Sequence, residues 1–259
     1  MANRPNAKSA AKSQAKKINK PKAEQPKATK SHPWRFCPAG QHWVKTHPLH
    51  VPPSQKNPAG SIATRNEHCA VNPSHKDSLY ADEIQEIAKQ NFSSLLGPPA
   101  PNDLGFESGN SYDEYIRGWT KYWNDVFNQR EPLDPDLVKA LIASESSFNP
   151  DVVAKVGKTK NRARGLMQVT DETQKILGDP NGELKDQLVH VDQEDLTDPN
   201  LNICAGIRWL FRKKQIADAE AGRELSWLEA IQKYKAEKKG NKLINRVIDA
   251  YNKLKEAPK

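Results

Sequence analysis

The chain has 259 residues, enough for one or two domains with a core of ordinary size. A hydrophobic fraction of 36% and a mean hydropathy of -0.85 lie below the values typical of globular proteins, so we expect part of the chain to remain outside any core. The formal net charge is +8, and no apolar run approaches the ~18 residues that a membrane-spanning helix requires.

Residues 1–30 account for that charge. They contain nine lysines and arginines against one acid, Glu24, a difference equal to the net charge of the whole chain. Three prolines and the lack of any aromatic residue predict a disordered basic tail. Lysine clusters bind nucleic-acid phosphates, but without aromatic side chains for base stacking we expect no specific nucleic acid partner. Contact with anionic wall or membrane polymers suits this composition better.

Residues 31–105 form a small segment rich in Cys, His and Pro. It holds Cys37, Cys69 and six of the seven histidines of the chain. Both cysteines with two histidines would make a zinc site, and the cysteines alone would make a disulfide in an oxidising compartment. Because no Cys-x-x-Cys or His-x-x-x-His pair occurs, the favoured interpretation is an irregular β-ribbon with structural polar residues, and the zinc and disulfide alternatives stay open.

Short elements within this segment are predicted from alternation and from turn residues. Alternating side chains at 43–47 and 62–65 predict two strands joined by a loop rich in Pro, Gly and Asn. Apolar residues at helical spacing predict a short amphipathic helix over 80–92, and the proline-rich run at 96–102 predicts a linker. We therefore place a domain boundary near residue 105.

Residues 106–259 have a strongly helical period. Four helix starts are predicted, each by a capping box or an Asp-Pro pair: Ser111 with Glu114, Asp134 with Pro135, Asp198 with Pro199, and Ser226 with Glu229. Apolar residues between 243 and 254 predict a fifth helix. The predicted fold class is mainly α, with a helical domain preceded by the disordered tail and the small irregular ribbon.

One acid lies on the apolar stripe of the second helix. Val138 and Leu141 share this stripe, and the next residue on the same face is Glu145. A carboxylate in a core position is paired with a cation or has its pKa raised by desolvation, and a raised pKa suits a general acid near neutral pH. Spacing alone fits equally well an acid that ends the helix, faces solvent or pairs with a cation of 155–164.

Three motifs follow one another along this region. They are Glu-Ser-Ser-Phe-Asn-Pro at 145–150, Gly-Leu-Met-Gln-Val at 165–169 and Pro-x-x-Asn-Ile-x-x-Gly-x-x-Trp-Leu at 199–210. In this order they resemble the signature of the soluble lytic transglycosylases, which share the lysozyme-like fold with goose-type lysozymes. The resemblance covers about residues 110–255 and implies a lysozyme-like transglycosylase domain.

The resemblance also implies roles for individual residues. Glu145 falls on the catalytic acid/base of the family. Ser146 falls on the residue that follows this acid. Met167 and Gln168 fall on the segment that lines the sugar cleft of the family, and Asn202 falls on its Asn-x-x-x-Gly helix. We assign these four residues to substrate binding. Gly206 matches a small residue that would let neighbouring backbone come close.

A tyrosine near the catalytic acid is a further feature of that family, within an Ala-Tyr-Asn motif. Tyr234 stands at the expected distance after Gly206, although Lys235 replaces the asparagine. The complete Ala-Tyr-Asn motif occurs at residues 250–252, but Tyr251 lies too far downstream and fits a terminal packing helix. We therefore assign Tyr234 to the substrate site.

The implied chemistry needs one carboxyl group and neither metal nor cofactor. The glutamic acid protonates the glycosidic oxygen between N-acetylmuramic acid and N-acetylglucosamine, while the N-acetyl group of the substrate stabilises the developing cation. The carboxylate then takes the proton of the muramyl C6 hydroxyl, which closes a 1,6-anhydro ring. Substrate assistance of this kind removes the need for a second carboxylate.

Three further acids leave a hydrolytic alternative open. Asp151, Asp171 and Glu172 are near enough in sequence to supply a second carboxylate, as in a goose-type lysozyme. A non-catalytic glycan-binding protein is another alternative, but the presence of Glu145 within its motif favours an enzyme. A nucleic-acid binder that uses the basic tail is the third.

The link between the first two motifs is longer than usual in the family and basic. It carries five cations, Lys155, Lys158, Lys160, Arg162 and Arg164. These would contact acidic stem peptides or wall polymers, or they would form a solvated loop, which is the favoured interpretation.

Partners and location follow from the implied substrate. Peptidoglycan glycan strands are the expected partner, and peptidoglycan lies outside the cytoplasmic membrane. No apolar run of about seven to fifteen residues follows the charges of the tail, so we expect a soluble cytoplasmic product without a Sec signal that reaches the wall by another export route or by lysis. An antibacterial effector, with a secretion-machine component and a cognate immunity protein as partners, or a phage-associated enzyme fits this expectation, with residues 1–105 serving for loading or targeting.

Overall fold

The computed structural model of the chain describes residues 32, 34–234 and 242–256. The predicted disordered tail lies outside these residues. The helices of the described part are α1 Ala81–Asn91, α2 Asp113–Phe127, α3 Pro135–Ser146, α4 Asp171–Gly178, α5 Pro199–Ala221, α6 Trp227–Tyr234 and α7 Lys242–Glu256, with 3-10 turns at Phe92–Ser94 and Glu194–Thr197. The strands are β1 Gln41–Val44, β2 His47–Val51, β3 Ser61–Arg65, β4 His68–Val71, β5 Ser78–Tyr80, β6 Val153–Lys155, β7 Arg162–Arg164, β8 Val169–Thr170 and β9 Leu188–His190.

The predicted mainly α fold is confirmed, because about 45% of the described chain is helical and the strands are short. The body is a helical layer in which α5 packs against α1, α2, α4 and α6, while α7 packs along α3. None of the described helices is long and apolar enough to cross a membrane.

The predicted ribbon consists of two antiparallel pairs, β1 with β4 and β2 with β3. The stretch predicted as a first strand, 43–47, is split, because the pairing breaks after Val44 and resumes at His47. We call residues 41–71 the β-ribbon.

A disulfide joins Cys37 to Cys69 at the base of the ribbon. The sequence left three interpretations open: a zinc site, a disulfide and an irregular β-ribbon, of which the ribbon was favoured. The structure contains both the ribbon and the disulfide. No group of three or more His, Cys, Asp or Glu residues in the described chain is arranged to hold a metal ion. The β1–β4 register sets Cys69 opposite Trp43, and the disulfide joins it to Cys37, which lies before β1 and 32 residues away in the sequence. Spacing in the sequence does not reveal this pairing.

The predicted boundary near residue 105 does not separate two cores. The predicted helix over 80–92 is present as α1, and its Ile84 and Ile87 are fully buried in the same hydrophobic cluster as the later helices. In addition, β5 pairs in parallel with β9, a strand more than 100 residues later. The segment from about residue 78 is therefore part of the helical body.

Helix starts are set largely by local capping. The Asp134 side chain accepts a hydrogen bond from the Asp136 N–H, and the Asp198 side chain accepts one from the Leu201 N–H, as predicted. Ser226 and Glu229 make the reciprocal bonds of a capping box.

The capping box predicted from Ser111 to Glu114 is wrong. Helix α2 begins at Asp113, and no side chain caps it. Residues 108–112 form turns instead, because the Asp113 carboxylate and the Asn110 side chain are both held by a buried lysine in α3.

Candidate active site

Glu145 lies in the last turn of α3. Val138 and Leu141, on the same stripe of the helix, are fully buried, whereas Glu145 is half-buried. The residue lies on the predicted stripe, and its burial falls between the core position and the solvent-facing position that the sequence left open. The stripe thus passes from the core to a partly accessible acid at the helix end, where a ligand can reach it.

The backbone turns sharply directly after the helix. Ser147 and Phe148 both have left-handed φ angles, 54° and 61°, which non-glycine residues rarely adopt. The Ser147 N–H donates to the Ala143 carbonyl at 3.2 Å, and the buried Phe148 ring packs against Phe106 at 5.6 Å. Such costly conformations persist only where the surroundings enforce them, and they concentrate at functional sites.

Ser146 points back into its own helix. Its hydroxyl donates to the Ile142 carbonyl at 3.3 Å, and the residue is buried. This Ser/Thr back-bonding is common near helix ends. A contact between Ser146 and substrate would require that the hydroxyl rotate out of this bond.

A loop from Gly165 to Gln168 is hydrogen-bonded to the Val152 carbonyl, four residues after Phe148. Gly165 has a φ of 71°, and a Cβ there would overlap the Leu196 carbonyl and the Asn202 side chain, so only glycine fits. The half-buried Gln168 side chain donates through Nε2 to the Gly165 carbonyl at 2.9 Å and to the Val152 carbonyl at 3.2 Å. Its carboxamide oxygen has no hydrogen-bond partner among the described residues and is available to a ligand donor.

Asn202 lies beneath this loop. It is fully buried, and its side-chain oxygen accepts from the Met167 N–H at 2.8 Å. Its amide nitrogen donates to the carbonyls of Arg164 and Leu196 at 2.9 and 2.8 Å. The geometry gives Asn202 the role of a brace that holds the loop to α5, and direct contact with a substrate would break these bonds.

Met167 and Gly206 complete the support of the loop. Met167 is fully buried, and a Cβ on Gly206 would collide with the Met167 side chain. The predicted close approach at Gly206 is therefore present, but the neighbour is a side chain rather than backbone. Of the loop residues assigned to substrate binding, Gln168 is the one with accessible surface.

The structure describes the side chain of one of the two candidate tyrosines, Tyr251. Tyr234 is the last residue of α6, and its side chain lies outside the described residues. Tyr251 lies in α7, and its hydroxyl donates to Asp134 at 2.8 Å, at the opposite end of α3 from Glu145. Partial burial and the hydrogen bond to Asp134 raise the pKa of Tyr251 to about 12. Tyr251 is thus a residue of a packing helix, as predicted.

The three candidate second acids occupy different environments. Asp171 is committed to Arg164, whose Nε lies 2.9 Å away, and it also accepts the Arg162 N–H at 3.1 Å. Asp151 is exposed, and after burial its charge is the second cause that raises the pKa of Tyr112. Glu172 is exposed in the first turn of α4.

One buried cation near the site was not anticipated. Lys139 is fully buried in α3, and its ammonium donates to the Ala100 carbonyl at 2.9 Å, to Asn110 at 2.7 Å and to Asp113 at 2.9 Å. Burial lowers the pKa of Lys139 and raises the pKa of Asp113. The network fastens the predicted linker to α3 and so positions Phe106 against the turn after Glu145. A lysine inside the apolar run 137–143 was the available signal.

Comparison with known proteins gives one match. The family model described as Transglycosylase SLT domain matches residues 124–256, just over half of the chain. The matched range contains α3, the Gly165–Gln168 loop and the Asn202 brace, whereas the β-ribbon and α1 lie outside it. No curated protein and no solved structure matches the chain.

Proposed function

The chain belongs to the transglycosylase SLT domain family, a family of peptidoglycan lytic transglycosylases, and on this premise we propose that it cleaves the β-1,4 bond between N-acetylmuramic acid and N-acetylglucosamine with Glu145 as acid/base. The product of the proposed reaction is a 1,6-anhydromuramyl end. A peptidoglycan-cleaving function of this type is what the family match supports.

The position of Glu145 carries the proposal. This acid ends a helix stripe that is otherwise apolar, and the residue is half-buried. The left-handed turn at Ser147 and Phe148 follows that helix end directly, and the Gln168 side chain is bonded to Val152 and Gly165 further along the chain. A general acid needs partial desolvation and access to the leaving oxygen, and a half-buried acid at a helix end suits both needs.

In the proposed reaction the protonated Glu145 donates its proton to the glycosidic oxygen as the bond to the muramyl C1 breaks. The acetamido oxygen of the muramyl residue stabilises the cationic C1 as the leaving sugar departs. The Glu145 carboxylate then removes the proton from the C6 hydroxyl, whose oxygen bonds to C1 and closes the anhydro ring. Glu145 ends protonated, so one residue serves both steps.

Neighbouring residues have supporting roles in this proposal. The carboxamide oxygen of Gln168 accepts a hydrogen bond from the sugar, and Tyr234 contacts the substrate as the family resemblance implies. Ser146 would contact it after its hydroxyl leaves the Ile142 carbonyl. Asn202 and Met167 act as positioning residues through the loop that they hold. Preorganised groups of this kind contribute by fixing geometry before the reaction begins.

The decisive experiment compares wild-type protein with Glu145→Gln on purified sacculi. We expect the variant to lose about 100- to 10,000-fold in rate, the usual contribution of general acid-base catalysis. Glu114→Gln, a variant of an exposed acid on α2, is the matched control and should clear sacculi like the wild type. Equal clearing by the wild type and Glu145→Gln would refute the assignment.

Mass spectrometry of the same digests separates the transglycosylase from the goose-type hydrolase. Anhydro ends are expected, whereas reducing ends would indicate hydrolysis and direct attention to Asp151 or Glu172 as the second carboxylate. Binding of sacculi without any cleavage product would indicate a glycan-binding protein.

We propose that the protein acts as an antibacterial effector or as a phage-associated wall enzyme. An effector would have a secretion-machine component and an immunity protein as partners. Wild-type protein directed to the periplasm of a Gram-negative host should lyse the cells, and Glu145→Gln should not.

A further inference from the structure

The basic link between α3 and the Gly165–Gln168 loop is an ordered hairpin. Strand β6 pairs antiparallel with β7 in a register that sets Lys155 opposite Arg162 and Val153 opposite Arg164. Residues directly opposite in an antiparallel pair point to the same face of the sheet. One face of the hairpin therefore carries three cations, Lys155, Arg162 and Arg164, and two more lysines, Lys158 and Lys160, lie in the connecting turn.

Most of this positive charge is not neutralised within the protein. Arg164 pairs with Asp171 at 2.9 Å. Among the described residues no acid forms an ion pair with the side chains of the other four cations, all exposed: Lys155, Lys158, Lys160 and Arg162. Like charges directly opposite each other destabilise a strand pair. The Lys155–Arg162 pair is thus a local cost that a bound anion would relieve.

The hairpin begins at the residue whose carbonyl group binds the Gln168 side chain. The Val152 carbonyl, at the start of the hairpin, accepts both from the Gly165 N–H at 3.0 Å and from Gln168 Nε2 at 3.2 Å. Val152 is only seven residues after Glu145, and five residues join the end of α3 to this point. The hairpin is thus bonded to the segment that carries Gln168 and joined by five residues to the helix that ends with Glu145 and Ser146.

We propose that the β6–β7 hairpin binds carboxylates of the stem peptides that branch from the muramyl residues, and so directs the enzyme to glycan strands that still carry their peptides. This inference rests on the proposed function. Stem peptides carry free carboxylates and are attached to the same sugars that the site would hold, so a strand bound at Glu145 presents them at high effective concentration.

Residues 153–164 favour this anion over nucleic acid. The segment contains no aromatic side chain on which bases would stack. Its four unpaired cations are exposed and spread over residues 155–162, which suits several single carboxylates along a flexible peptide. Wall polymers that carry phosphate are the competing source of negative charge, and the experiment includes them.

The test measures kcat/KM on three forms of the same glycan strands: with intact stem peptides, with the peptides removed by an amidase, and with the peptide carboxylates converted to amides. Lys155→Gln with Arg162→Gln removes the cationic pair. Lys56→Gln with Arg65→Gln, two exposed cations of the β-ribbon, makes the same change in net charge elsewhere.

We expect the wild type to prefer intact strands over both modified forms by about two- to thirtyfold, the range for two exposed charge pairs. The hairpin variant should act on all three forms at the low wild-type rate, and the ribbon variant should keep the preference. Wild-type rates that are equal on the three forms would overturn the inference while leaving the proposed function intact. No cleavage of any form by the wild type would refute the proposed function itself.

Two more outcomes bear on the hairpin. Hydrofluoric acid removes covalently attached phosphate polymer from sacculi. If this treatment abolishes the preference of the wild type while amidation of the peptides leaves it unchanged, the stem-peptide assignment is wrong. Because the hairpin variant removes a like-charge pair, its melting temperature should equal or exceed that of the wild type. A fall in melting temperature with equal loss of rate on all substrates would indicate a structural role and contradict the proposal.

Discussion

The β-ribbon and the helical body of this molecule are ordered by different forces. Strands β2 and β3 pair over five residues each, yet they are exposed along nearly their whole length, and Ile62 is 69% exposed. In the body the side chains of Trp119, Tyr122 and Trp123 have no exposed surface. Backbone pairing and one cross-link order the ribbon, whereas burial of apolar surface orders the body.

The junction between the two regions depends on buried charge. Arg35 Nε lies 2.6 Å from the Glu83 carboxylate, with side-chain exposures of 1% and 0%. The same guanidinium donates to the carbonyls of Gln41 and Ser78, one at the start of the ribbon and one in β5. A segment without a core of its own can thus be held in place by a few specific contacts, because leaving either buried charge unpaired would be costly.

The largest effect is expected from the buried cation of the body. Lys139→Met leaves the Asp113 carboxylate without its partner, so we expect a loss of about 3–5 kcal/mol in the free energy of unfolding. Denaturant unfolding measures it. Adding Asp113→Asn should recover part of the loss, because the double variant no longer holds an unpaired charge.

Ile62→Ser in the ribbon is the matched comparison for that variant. The side chain is mostly exposed, so we expect a change of no more than about 0.5 kcal/mol. A loss as large as that of Lys139→Met would show that the ribbon is covered by another part of the protein, and the contrast between the two regions would fail.

An intermediate effect is expected from the cross-link of the ribbon. Cys37→Ser with Cys69→Ser frees a loop of 32 residues, for which a loss of about 2–4 kcal/mol is typical. The loss should be local: amide exchange should speed up in β1 and β4 and stay unchanged in α3 and α5. Wild-type protein under a reductant should behave like the variant, and faster exchange throughout the helices would contradict the separation of the two regions.

A smaller and pH-dependent effect is expected at His32, which packs on the body with its ring 4.1 Å from that of Tyr122. Burial lowers the pKa of His32 to about 4, although the nearby Asp125 opposes the shift. The unfolded chain takes up the proton first, near pH 6.5, so stability should fall by about 2–3 kcal/mol as the pH drops from about 6.5 to about 4.

Unfolding at several pH values in wild type and His32→Asn measures this contribution. The asparagine oxygen can accept the Trp34 N–H that His32 Nδ1 accepts at 3.3 Å, so the variant removes the titration and preserves the contact. Equal pH dependence of the two proteins would show that other groups cause the loss.

The sequence alone determined the features that depend on neighbours along the chain. The caps at Asp134, at Asp198 and from Ser226 to Glu229 were predicted correctly, because a cap is formed within one helical turn. The place of Glu145 on its stripe followed from the helical period, and the family followed from three motifs in order.

Only the tertiary structure decided what residues distant in sequence do together. It pairs Cys37 with Cys69, places Lys139 against Asp113, and turns Asn202 from a predicted sugar contact into a brace beneath the loop. The burial of α1 with the later helices likewise depends on residues more than 100 positions apart. The physical reason is that hydrogen bonds, ion pairs and burial act through space, whereas capping and periodicity act along the chain.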